Sequence, residues 1–153
     1  MIHHLIPRVL SKLLIPFIAL FGLYVQFHGD FGPGGGFQAG VIVAAAIILY
    51  ALVFGLDNAE NAVPPKLVTA GVAVGLLLYA GVGVATMFLG AEFLNYNALD
   101  SHDPVHGQHL GIILIEAGVG LTVASVMITI FYKFADRLKL TRDLEAAGDE
   151  DGA

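Results

Sequence analysis

Apolar positions along this chain come in long unbroken runs, not in the alternation of a half-buried strand or the single stripe of a surface helix. A hydrocarbon core of about 30 Å asks for helices of about 20 residues at 1.5 Å each. Four runs meet that length: Leu5 to His28, Phe37 to Leu56, Leu67 to Ala91 and His109 to Tyr132. The pattern predicts an all-α fold, an integral membrane bundle of four transmembrane helices within residues 1–134. A polar tail, 135–153, reads as a short helical continuation running into an acidic, disordered end. The first run opens irregularly, with Pro7, Arg8, Lys12 and Pro16 in its early turns. Its positive start resembles a secretory signal, but no small-x-small cleavage site follows it and further spans do, so it is expected to stay as an anchor.

Composition agrees: 57% of residues are hydrophobic and 13% charged, far from the roughly 25% charged of soluble domains. Charge placement adds orientation. Arg8 and Lys12 precede the first span, Lys66 lies between the second and third, and Lys133, Arg137, Lys139 and Arg142 follow the fourth. With four crossings all of these fall on one side, so the positive-inside rule predicts cytoplasmic N and C termini. The loops 28–36 and 92–108 then face outward, carrying Asp30, Glu92, Asp100 and Asp103 without a Lys or Arg. No basic patch with interleaved aromatics exists, and no nucleic-acid partner is expected.

The candidate chemistry is sparse. There is no cysteine, which excludes thiolate metal sites, thiol nucleophiles and iron-sulfur clusters held by this chain. His102, His106 and His109 in "HDPVHGQH" match no strong zinc spacing, and no two histidines sit at matching depth on different spans as a haem would need. Neither a metal nor a cofactor is expected. Glu116 stands out, because a carboxylate inside a span costs about 2.5–3.5 kcal/mol on insertion scales and normally faces a partner or a watery path. His109 lies seven positions before it on the same helix face, so the pair is a candidate ion path; as a packing group, Glu116 would instead fix helix against helix. His28 and Asp30, with Gln38 just beyond, flank the boundary between the first two spans and are further candidates.

That boundary reads "HGDFGPGGGFQAG", His28 to Gly40. It is not a phosphate cradle, since GxxxxGK[ST] is absent. Its glycines permit positive φ and close backbone approach. Non-helical backbone at membrane depth is tolerated only where protein buries it or water lines it. Gly36 with Gly40, and Gly71 with Gly75, are spaced four apart, the interval that lets helices in lipid approach closely.

This stretch, followed by "VIVAAAIILYALVFG" and by "IEAGVGLTV" in the last span, closely resembles the signature of the MnhB (MrpB) family, small membrane subunits of multisubunit Na+/H+ antiporters of the Mrp type. The resemblance runs from about Pro7 to Tyr132 and rests on the motif Gly29, Pro33, Gly34, Gly35, Gly36, Phe37 and Gly40. Aspartate is common in the family where Glu116 stands here, a change of one methylene. The resemblance implies a membrane component without covalent chemistry. Such a component works with large antiporter-like and small partner subunits in the plasma membrane of a prokaryote, supporting assembly and contributing to exchange of protons for Na+ or K+. A structural small component of another complex I relative, such as a membrane-bound hydrogenase, is the alternative.

Overall fold

The computed structural model describes residues 5–29, 32 and 34–150, with side chains described over 6–29, 32 and 34–141. Asp30 and Pro33, two of the residues singled out above, lie outside the described residues. The described chain is helical along most of its length: α1 (Leu5–His28), α2 (Gly36–Phe54), a short α3 (Leu56–Ala62), α4 (Pro65–Phe88) and α5 (Pro104–Glu150), with a 3-10 turn at Tyr96–Leu99. Among the described residues four helices are long and apolar enough to cross a membrane: α1, α2, α4 and the first part of α5.

The boundaries differ from the hydropathy runs at α5. The run begins at His109, but the helix starts at Pro104. Asp103 explains the difference, because its Oδ1 accepts hydrogen bonds from the backbone N–H groups of Val105 (3.0 Å) and His106 (3.2 Å). An aspartate N-cap followed by proline at the first helical position is a strong start signal that hydropathy does not register. At its other end α5 continues through Glu150 for 47 residues in all.

Packing is sequential rather than all-against-all. α1 lies along α2, α2 along α5, and α5 along α4, while α1 and α5 touch only slightly. The four spans therefore follow the order α1, α2, α5, α4. Few large side chains are buried: the core is Ala39, Ala44, Ala46, Ala51, Ala59, Val68, Val82, Ala124, Ile128 and Tyr132. Close approach of backbones takes the place of interdigitated side chains. A Cβ added to Gly75 would lie 2.7 Å from the Gly118 carbonyl and 2.8 Å from the Thr122 nitrogen, and one added to Gly40 would lie 2.6 Å from the Gly120 carbonyl. Where hydrophobic drive between helices is absent, such contact is what holds spans together.

One end is closed by α3 and a small apolar cluster of Ala44, Ala51, Ala59, Val68, Ile128 and Tyr132. There the Tyr132 hydroxyl donates to the Val63 carbonyl at 3.2 Å, and Lys139 Nζ meets Asp57 Oδ1 at 3.0 Å on the surface. At the opposite end the 89–103 connection folds back on the helices. The fully buried Thr86 hydroxyl sits within hydrogen-bonding distance of the Gly83 and Glu92 carbonyls and accepts from Leu94 N–H. Phe93 covers Gly83, and Tyr96 covers Gly111. Burial of its ring pushes the Tyr96 hydroxyl above its ordinary pKa. The 89–103 connection is thus tied to the helix ends at Thr86, Gly83 and Gly111, while residues 101–106, where it joins α5, are exposed.

Two glycines of α4 should behave in opposite ways. Gly75→Val places a methyl group against backbone that has no room to move, costing about 1–3 kcal/mol as overpacking does. Gly81→Ala meets nothing within 4 Å and should be neutral or stabilising by up to about 1 kcal/mol. Thermal unfolding of the two variants in detergent, against the unsubstituted protein, checks the contrast.

Candidate functional site

Glu116 and the glycine-rich connection, distant in sequence, meet in space. A Cβ on Gly29 would lie 2.6 Å from Glu116 Oε1 and nearer still to Oε2, and one on Gly35 would lie 3.0 Å from Oε1. Gly36 presses on the backbone carbonyl of Glu116 itself, and a Cβ there would stand 3.0 Å from Gly120 N. The carboxylate of α5 therefore rests in the bend between α1 and α2, on a surface of glycine backbone.

Local structure explains why the bend takes this shape. Gly35 has φ 120 and ψ −177, a combination essentially confined to glycine. It is the N-cap of α2 and makes no side-chain capping hydrogen bond. Ala39 N–H already bonds the Gly35 carbonyl at 3.0 Å, whereas the N–H groups of the first turn before it have no acceptor within their own helix. The carboxylate of Glu116 lies at this end, where the helix dipole favours a negative charge by up to about 2 kcal/mol in partly buried settings. The gain offsets much of the insertion cost of the acid. Lysine and arginine are not involved, since every one of them lies at or beyond the opposite end of the spans.

Depth follows from helix length. α2 and α5 run parallel, with Gly36 beside Glu116 and Gly40 beside Gly120. Phe54 at the far end of α2 carries Lys12 Nζ 5.9 Å from its ring centroid. The 18 steps from Gly36 to Phe54 put Glu116 about 27 Å from that charged boundary. Beyond Glu116, α1 and α2 end, but α5 continues up to Pro104 for about 18 Å more. The site lies at the foot of a step between a short pair and a tall pair of helices.

The other candidates are distributed around it. His109 is half-buried, two turns up α5 from Glu116 on the same face. His28 is exposed at the end of α1, with its ring stacked on Tyr24 at 5.2 Å. Phe37 is 61% exposed on the first turn of α2, and Gly34 folds against Val25 of α1. Sequence reasoning passed over Gln26: its amide oxygen lies against Gly120, one turn from Glu116 on α5. A polar side chain near the end of an apolar run was the available signal. His106, weighed with the loop histidines, pairs instead with Asp100 at 2.9 Å. Asp100 also accepts from the His102 and Asp103 backbone N–H groups at 3.0 and 3.2 Å. These bonds, led by that from His102 N–H, hold its carboxyl below the ordinary range.

Comparison with known proteins covers most of the chain. Residues 6–129 match the model of a domain related to the MnhB subunit of Na+/H+ antiporter. A protein of Staphylococcus haemolyticus (strain JCSC1435), assigned by name as an antiporter subunit, mnhB2, is 33% identical over 130 residues, covering 84% of this chain and 92% of that protein. Its namesake in Staphylococcus aureus (strain Newman) is 31% identical over the same coverage.

Two outcomes follow. Gly29→Ala should destabilise by about 1–3 kcal/mol through overpacking. Gly32→Ala, whose added methyl meets the exposed His28 ring at 3.2 Å among the described residues, should be tolerated; thermal unfolding separates them. A carboxyl with a lowered folded pKa adds stability above its unfolded pKa and loses it as pH falls through the folded one. The entry to α5 at 100–106 should therefore hold through the ordinary carboxylate range and loosen only below it. Amide exchange at His102 and Asp103, corrected for intrinsic pH dependence, checks this.

Proposed function

The chain belongs to the MnhB family, and on that premise we propose that it is the MnhB-type membrane component of a multisubunit antiporter that exchanges protons for Na+ or K+ in the plasma membrane of a prokaryote, with both termini cytoplasmic. Its partners are large antiporter-like subunits and other small subunits. The observation that carries the reading is the seat of Glu116: an acid within a span, held by glycine backbone at the foot of the step, with His109 two turns above it. An acid so placed is reached along one helix face and is held in position by α1, α2 and α5 together. It can exchange a proton or meet a monovalent cation there. The chain supplies no second intramembrane acid among its spans, so exchange needs groups from other subunits.

The same contact supports an assembly role, because Gly29, Gly35 and Gly36 fix how the first two spans meet α5. Glu116→Gln keeps the shape and removes the charge. In everted vesicles, complexes carrying it should assemble normally, co-purify with their partners, and lose cation-driven proton exchange. Full exchange in Glu116→Gln and in Glu116→Ala would assign Glu116 to packing alone.

A further inference from the structure

We propose that the free face of α5, where this helix leaves the membrane at its basic end, binds an anionic phospholipid. Lys133 and Arg137 hold the acidic headgroup, and the acyl chains lie along Ile130 and Phe134. The inference is independent of the exchange reading and of Glu116.

Depth places the two cations. The separation in sequence that sets Gly36 beside Glu116 and Gly40 beside Gly120 also brings Phe54 of α2 level with Phe134 of α5. Lys12 Nζ lies 5.9 Å from the Phe54 ring, which marks this level as a charged boundary. α4 runs the other way, with Gly75 beside Gly118 and Gly71 beside Ser125, so Lys66 falls within about one turn of the same level. The apolar run of α5 ends at Tyr132, and Lys133 is the first charge after it. Lys133 and Arg137, about 6 Å apart along the helix axis, therefore stand at headgroup depth.

What α5 leaves uncovered defines the face. Gly118, Thr122 and Ser125 pack on α4, while Glu116, Gly120 and Val123 pack on the side of α1 and α2. Val126, Ile130, Lys133 and Arg137 follow one another at intervals of three and four residues and so form one stripe between those two contacts. All four are exposed, and Phe134 beside them is 69% exposed. At the polar end of the stripe is a groove of about 800 Å³ lined by Lys133, Phe134, Arg137, Leu140 and Thr141, with Asp136 also on its wall. Asp136 belongs to the α4 side, where it lines a smaller cavity with Glu60 and Thr69.

The chemistry of the stripe selects its occupant. Neither Lys133 nor Arg137 is in an ion pair among the described residues, whereas Lys139, on the opposite side of the helix, meets Asp57 at 3.0 Å. Exposed hydrocarbon crowned by two cations one turn apart complements an amphiphile with an acidic headgroup. The Arg137 guanidinium offers a planar fork to phosphate oxygens, and the Lys133 ammonium a compact charge. An apolar helix of another protein would cover Val126 and Ile130 but leave both cations without an acid; an anionic lipid answers both needs. Cations beside a membrane span attract such lipids, and a zwitterionic headgroup gives part of the gain back through its own ammonium.

The chain contains no tryptophan, so an introduced one is a unique fluorophore. Ile130→Trp puts it on the stripe, and Phe88→Trp puts it at the opposite end of α4, where the native side chain is exposed. The full chain is reconstituted into phosphatidylcholine vesicles that carry the same small fraction of either acyl-brominated phosphatidylglycerol or acyl-brominated phosphatidylcholine. Quenching at Ile130→Trp should be several-fold more effective with the anionic lipid, and at Phe88→Trp equal for the two. Adding Lys133→Gln and Arg137→Gln together should bring the ratio at Ile130→Trp to about one, with each alone giving an intermediate value. Should the double variant not insert, about 1 M salt, which shortens screening to about 3 Å, must lower the ratio. A ratio of one in the unsubstituted background, or a preference that survives both substitutions or the salt, overturns the site. Quenching of Ile130→Trp by neither lipid while both quench Phe88→Trp would show the face covered by protein, and overturns it equally.

Discussion

An acid within a membrane needs polar surroundings, and Glu116 lies against the glycine backbone where α1 ends and α2 begins. The insertion cost of about 2.5–3.5 kcal/mol is set against a helix N-terminus worth up to about 2 kcal/mol to a nearby anion. The gain falls off within one turn, so the acid has to come into contact with the α2 terminus. Contact is possible because Gly29, Gly35 and Gly36 present no side chains where the Glu116 carboxylate and main chain lie. This sets the register of α2 on α5, and the register sets the step that leaves the acid at the foot of the taller helices.

The rest of the fold applies the same rule of close backbone approach. Gly40 meets Gly120, Gly75 meets Gly118 and Thr122, and Gly71 receives the hydroxyl of Ser125. Large apolar side chains such as Phe17, Leu20, Phe21 and Phe27 of α1 are left on the outside, where lipid or neighbouring subunits surround them. Spans that pack in the sequence α1, α2, α5, α4 leave much apolar surface facing outward, in keeping with a chain proposed to work inside a larger assembly.

Much of this was legible from the sequence. Hydropathy found all four spans because every backbone polar group must be satisfied inside a helix at membrane depth. Glu116 and the glycine stretch were each conspicuous, the first for its cost and the second for its composition. What periodicity could not reveal was that they touch, since 87 positions separate Gly29 from Glu116 and nothing local encodes the contact. The anchoring of the 89–103 connection was not legible for a related reason: Thr86, Phe93 and Tyr96 act through tertiary contacts with Leu94, Gly83 and Gly111. The start of α5 at Pro104 was readable in principle from the Asp103-Pro104 pair.

The contact between the glycine connection and the acid is the centre of the account, and a double-mutant cycle measures it most directly. Gly29→Ala and Glu116→Ala, singly and together, would be compared by unfolding of the purified complex. Because the methyl group that Gly29→Ala adds clashes with the carboxylate that Glu116→Ala removes, the double variant should lose less stability than the sum of the two, by about 0.5–3 kcal/mol as for residues in contact. Strict additivity would mean that the two residues do not meet in the working protein.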